Sequence, residues 1–117
     1  MTFHVDTSTG KKIGIAELSG RLDAISGSEL QKSFRLWQQE TRDIVFDCVK
    51  LDFIDSSGLG AVVSCLRKAL EQSSDLRLAG LSKNVSMVFE LTKAKKLFSI
   101  FPDTREAIKS FSTGNPA

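Results

Sequence analysis

The sequence predicts an α/β fold in which most strands run parallel. Three observations predict it. Apolar residues alternate in some segments and recur at helical spacing in others, and the two kinds of segment take turns along the chain. Their order is strand, strand, helix, then strand–helix repeated, ending in a helix. Such alternation implies parallel strand pairs joined by right-handed crossovers. No repeat, low-complexity tract or linker interrupts the 117 residues, a length that suits one domain with one core. The domain is therefore set at 1–117, with an ordered core over about 3–111. Residues 112–117 form a flexible tail in which Ser, Thr, Gly, Asn and Pro collect.

The first twenty residues read as a hairpin. Phe3 and Val5 alternate with polar neighbours, as do Ile13 and Ile15, and Thr7-Ser8-Thr9-Gly10 supplies the turn. Gly20-Arg21-Leu22-Asp23 closes this unit. Ser26-Gly27-Ser28-Glu29 has the spacing of a capping box, and Leu30, Phe34 and Trp37 follow at helical spacing. A helix is therefore expected from about Ser26 to Glu40. Ile44-Val45-Phe46 is a short apolar run that fits a central strand covered on both faces. Asp47 to Ile54 leads from it into Asp55-Ser56-Ser57-Gly58-Leu59-Gly60. A second helix runs from Gly58 to about Gln72, with Leu59, Val62, Val63, Leu66 and Leu70 on its apolar face. Its other side carries Ser57, Gly60, Ala61, Ser64 and Lys68, a flat surface that another protein's backbone can approach. Leu76 and Leu78 flank Arg77 in a further strand that ends at Gly80. Ser82 caps a third helix with Val85, Val88 and Phe89 on its inner face. Leu97 to Phe101 reads as the last strand. Pro102-Asp103 opens the last helix, which carries Ala107, Ile108 and Phe111.

Composition excludes several function classes. The net charge of +2 gives no global field for nucleic acid or an anionic membrane. No apolar run approaches the roughly 18–20 residues that span a bilayer. Met1 to Gly10 is polar and mixed, with no signal-peptide pattern. Cys48 and Cys65 lack metal-ligand spacing and read as buried, reduced thiols of a cytosolic protein. Neither a phosphate-binding P-loop nor a Gly-x-Gly-x-x-Gly dinucleotide turn occurs, and no residue calls for a cofactor. His4 is the only histidine and stands in the first strand, so the serines have no identifiable general base. The serine motif is also not the Gly-x-Ser-x-Gly elbow of α/β hydrolases. A phospho-aspartate receiver would need a Mg²⁺ site of clustered carboxylates, and the first strands offer only Asp6 and Glu17. The chain is expected not to be an enzyme. The basic group Lys93, Lys95 and Lys96 reads first as a solvated helix end and second as a contact for an acidic partner. Ser28, Ser64 and Ser82 read as caps or surface residues.

What remains is Asp55-Ser56-Ser57-Gly58-Leu59-Gly60, two hydroxyls where a helix begins. A helix start carries free N–H groups and a partial positive charge, and so suits negative charge. Two blocks of the chain resemble the STAS domain family, and within it the stand-alone anti-sigma factor antagonists of bacteria. Leu18-Ser19-Gly20-Arg21-Leu22-Asp23 is similar to the family's turn after its second strand. Leu51-Asp52-Phe53-Ile54-Asp55-Ser56-Ser57-Gly58-Leu59-Gly60 is similar to its long Asp-Ser-Ser-Gly signature. The resemblance spans about Phe3 to Phe111.

It implies a mixed sheet of about five strands, flanked by about four helices on one side. It implies that Ser56 is phosphorylated by an anti-sigma factor that is also a serine kinase, and that a PP2C-type phosphatase restores the hydroxyl. The unphosphorylated form would bind the anti-sigma factor in the cytoplasm and free a sigma factor. Asp23, Asp55, Ser57, Gly58, Gly60, Ala61 and Ser64 would form or flank the partner surface. The residues themselves do not choose between Ser56 and Ser57. The family also includes scaffold subunits of stress-sensing complexes and small subunits of lipid-transport machines, in which no phosphoswitch operates.

Overall fold

The computed structural model describes residues 1–113. Among them, five strands form one sheet in the order β1-β2-β3-β4-β5. β1 (Thr2–Asp6) pairs antiparallel with β2 (Ile13–Leu22), with His4 opposite Ile15. The Asp6 carboxylate accepts from the Ser8 N–H at 3.0 Å, and Gly10 turns the chain at φ 87°. From β2 onward every pair is parallel. α1 (Ala24–Glu40) leads to β3 (Asp43–Ile54), and α2 (Ser56–Glu71) leads to β4 (Leu76–Ala79). α3 (Lys83–Leu91) and a 3₁₀ turn (Ala94–Leu97) lead to β5 (Ile100–Phe101), and α4 (Thr104–Thr113) follows. The expected mixed, mostly parallel sheet with four helices is what the chain forms.

The strands are laid down in one direction across the sheet. Right-handed crossovers therefore put α1, α2 and α3 on the same face. There Ala16, Leu18, Phe46 and Leu78 meet Phe34, Val62 and Phe89. Phe3 stacks on Trp37 at 5.1 Å, which ties the edge strand to α1.

The placement of all four helices on one side is corrected. α4 covers the reverse face, where Ile13, Ile15, Val45 and Ala79 pack against Ala107, Ile108 and Phe111. α4 follows the last strand and is not a crossover, so handedness does not constrain it. The apolar reverse face does, because its residues gain by leaving water. Arg77 reinforces the contact from β4, lying 4.0 Å over the Phe111 ring and donating to Ser110 Oγ at 2.6 Å. Lys11 Nζ donates to the Phe111 carbonyl at 3.0 Å.

Other boundaries shift too. β3 is one strand of 12 residues, not a short run with a connector. β5 keeps only Ile100 and Phe101, because Leu97 belongs to the 3₁₀ turn. α1 starts two residues before Ser26. Of the expected tail, residues 112 and 113 close α4, and 114–117 lie outside the described residues. No helix among the described residues is long and apolar enough to cross a membrane.

Candidate functional site

The site stands where β2 and β3 end side by side. Leu22 pairs with Ile54, and the Asp55 N–H donates to the Leu22 carbonyl at 3.2 Å. The chain leaves both strands through an aspartate, so two helix N-termini emerge together. Two irregularities in the β2–β3 register, at Glu17–Ser19 and Gly20–Arg21, precede this point, and Gly20 takes a positive φ of 73°. Such bulges re-aim the chain at a sheet's end.

Each aspartate caps its helix. Asp23 Oδ1 accepts from the N–H groups of Ile25 and Ser26, both at 3.1 Å. In return the Asp23 N–H donates to Ser26 Oγ at 2.9 Å, which completes a capping box. The box is thus Asp23–Ser26, not Ser26–Glu29. The backbone N–H and hydroxyl of Ser26 hold the Asp23 carboxyl below its ordinary value. Asp55 Oδ1 accepts from the Gly58 N–H at 2.9 Å, and the Leu59 N–H closes the first helical bond to the Asp55 carbonyl at 2.8 Å. The N–H groups of Ser56 and Ser57 are left without a helical acceptor. Both serines are exposed, and neither hydroxyl bonds another group among the described residues.

The two glycines do different work. A Cβ on Gly58 would run into the Leu22 carbonyl oxygen, so glycine is what lets α2 begin this close to β2. Gly60 faces open space. Ala61 is only 3 % exposed and lies against Gly27 of α1, where a Cβ on Gly27 would stand 3.0 Å from that of Ala61. Gly58 and Ala61 therefore face the protein itself, which corrects their expected place on the partner surface. Asp23, Asp55 and Ser64 are half-buried, and Ser56, Ser57 and Gly60 are exposed.

Side chains that sequence reasoning passed over complete the surface. Arg21 lies 4.1 Å over the ring of Phe53, itself 38 % exposed, and Ile25 is 77 % exposed at the start of α1. Apolar side chains beside two helix starts were a readable signal once Asp23 was recognised as the cap. Across α2, Ser56 borders an open groove that continues to the turn after α3.

The STAS domain family model matches residues 4–107. The anti-sigma-B factor antagonist of Staphylococcus aureus is 29% identical over 101 residues, covering 86% of this chain and 94% of the relative. That of Staphylococcus epidermidis is 26% identical with the same coverage. Among solved structures, an anti-sigma factor antagonist from Mycobacterium paratuberculosis superposes with a TM-score of 0.78 at 19% identity, over 93% of this chain and 92% of that one. The Bacillus cell fate determinant SpoIIAA, in its phosphorylated form, superposes with a TM-score of 0.68 at 21% identity, over 94% and 99%. These structural likenesses bear on the fold.

Proposed function

Because the chain belongs to the STAS domain family, we propose that it is an anti-sigma factor antagonist switched by phosphorylation of Ser56. The unmodified form binds an anti-sigma factor that is also a serine kinase, and so releases a sigma factor. Phosphorylated Ser56 blocks that binding, and a PP2C-type phosphatase reverses it. The role places the protein in the cytoplasm and makes it a substrate, not an enzyme. Relatives named as antagonists support the role. The observation that carries the site is the exposed, unengaged Ser56 hydroxyl in the first turn of α2, directly after the capping residue Asp55.

The chemistry follows from charge. A phosphoserine carries about −1.5 to −2 charges at neutral pH. The fold tolerates it there, because free N–H groups and the positive end of the α2 dipole face it. A partner does not tolerate it, because docking would strip water from a dianion that directly follows the Asp55 carboxylate. A penalty of roughly 3–4 kcal/mol lowers affinity several-hundred-fold. Binding is thus switched without refolding. The test is incubation with the anti-sigma kinase and ATP. Ser56→Ala is expected to abolish most labelling and Ser57→Ala to retain it; label that stays on Ser56→Ala overturns the assignment.

A further inference from the structure

The groove beside Ser56 has a character that the phosphosite alone does not explain. It is an open trough of about 460 Å³ between the outer side of α2 and the turn that follows α3. Leu59, Val63, Ala94 and Leu97 supply its apolar floor and wall, and Arg67 and Lys93 supply charge. Among the described residues, no acidic side chain lines it. Neither groove cation makes an ion pair with another described residue. Leu97 is 57 % exposed although its neighbours Ala94 and Phe98 are buried. Lys93 also stands in the left-handed conformation, with φ 64°, where glycine fits with less strain.

We infer that the groove receives an exposed segment of the anti-sigma factor in which an apolar side chain is accompanied by carboxylates. The apolar side chain lies against Val63 and Leu97, and the carboxylates meet Arg67 and Lys93. This inference rests on the antagonist reading, and it extends the partner surface from the helix starts along the outer face of α2. Two features of the site favour an acidic protein segment. The unpaired cations complement carboxylates, and the groove opens at the residue whose phosphorylation ends binding. Phosphorylation would place a dianion at the mouth of a trough tuned for the partner's carboxylates, so charge is opposed at the point of entry.

The experiment is calorimetric titration of the full chain with the purified anti-sigma kinase of the source organism. Arg67→Glu and Leu97→Asp change exposed groove side chains. Leu36→Asp changes an equally exposed leucine on α1 and serves as the control. Each groove variant is expected to bind about tenfold or more weakly, with an unchanged unfolding temperature, while Leu36→Asp stays within about twofold. The Arg67→Glu loss should shrink as salt rises. Wild-type affinity in both groove variants, or equal weakening in all three, overturns the groove while leaving the antagonist reading intact. A wild-type chain that does not bind the kinase overturns that reading and the inference with it.

Discussion

Ser56 and Ser57 are adjacent and both exposed, yet their surroundings differ. The Ser57 carbonyl lies toward Gly27 of α1, whereas Ser56 borders the groove on the far side of α2. That asymmetry was not readable from two identical letters in a row. Ser56→Asp is expected to weaken partner binding only partly, since Asp carries less charge than phosphate, and to leave the unfolding temperature nearly unchanged; loss of fold in that variant would remove the switching argument. Asp23 makes a second prediction. Its carboxyl titrates below the usual value because Ser26 donates to the charged form, so its stabilising effect is complete above the ordinary carboxylate value near 3.8. The effect is lost as pH falls through the lowered folded value. Asp23→Asn should therefore lower the unfolding temperature at pH 7, and the gap to the wild type should close below about pH 4. At the cysteines, burial pushes both thiols up to about 12. Cys48 and Cys65 should react with a thiol reagent at pH 8 only at the rate of unfolding.

Among the elements, α2 shows both the reach and the limit of sequence periodicity. Leu59, Val62 and Leu66 are buried as expected, but Leu70 is 57 % exposed. The inward stripe instead runs through Ala61, Cys65 and Ala69. α2 lies so close to α1 that small side chains form the contact, and a pattern that weighs large apolar residues does not register them. The same closeness separates the glycines. Gly58→Ala is expected to destabilise the chain by roughly 1–3 kcal/mol through the clash with the Leu22 carbonyl. Gly60→Ala meets open space and should stabilise by up to about 1 kcal/mol. Urea unfolding of the two variants reads both signs. Caps were partly legible. Ser82 does cap α3, and Asp103 opens α4 as expected, its carboxylate accepting from the Glu106 N–H. The α1 cap is Asp23, three residues before Ser26, because Ser26-Gly27-Ser28-Glu29 only imitates a capping box.

At the scale of the molecule, the alternation of strands and helices was sufficient to predict a mostly parallel sheet. The three consecutive apolar residues Ile44-Val45-Phe46 already called for cover on both faces. α4 provides the second cover, which a one-sided arrangement would have left out. The candidate site was legible as a motif, but not as a surface. Arg21, Ile25 and Phe53 reach it from three different elements, and only the pairing of Leu22 with Ile54 brings those elements together. Under the proposed function, charge on Ser56 controls docking at this site while the fold stays as it is. The most direct measurement compares the affinity of the anti-sigma factor for the unmodified chain and for the chain stoichiometrically phosphorylated on Ser56, with unfolding temperatures recorded alongside. The predicted result is a loss of affinity of about a hundredfold or more at an unchanged unfolding temperature. Equal affinity of the two forms would contradict it.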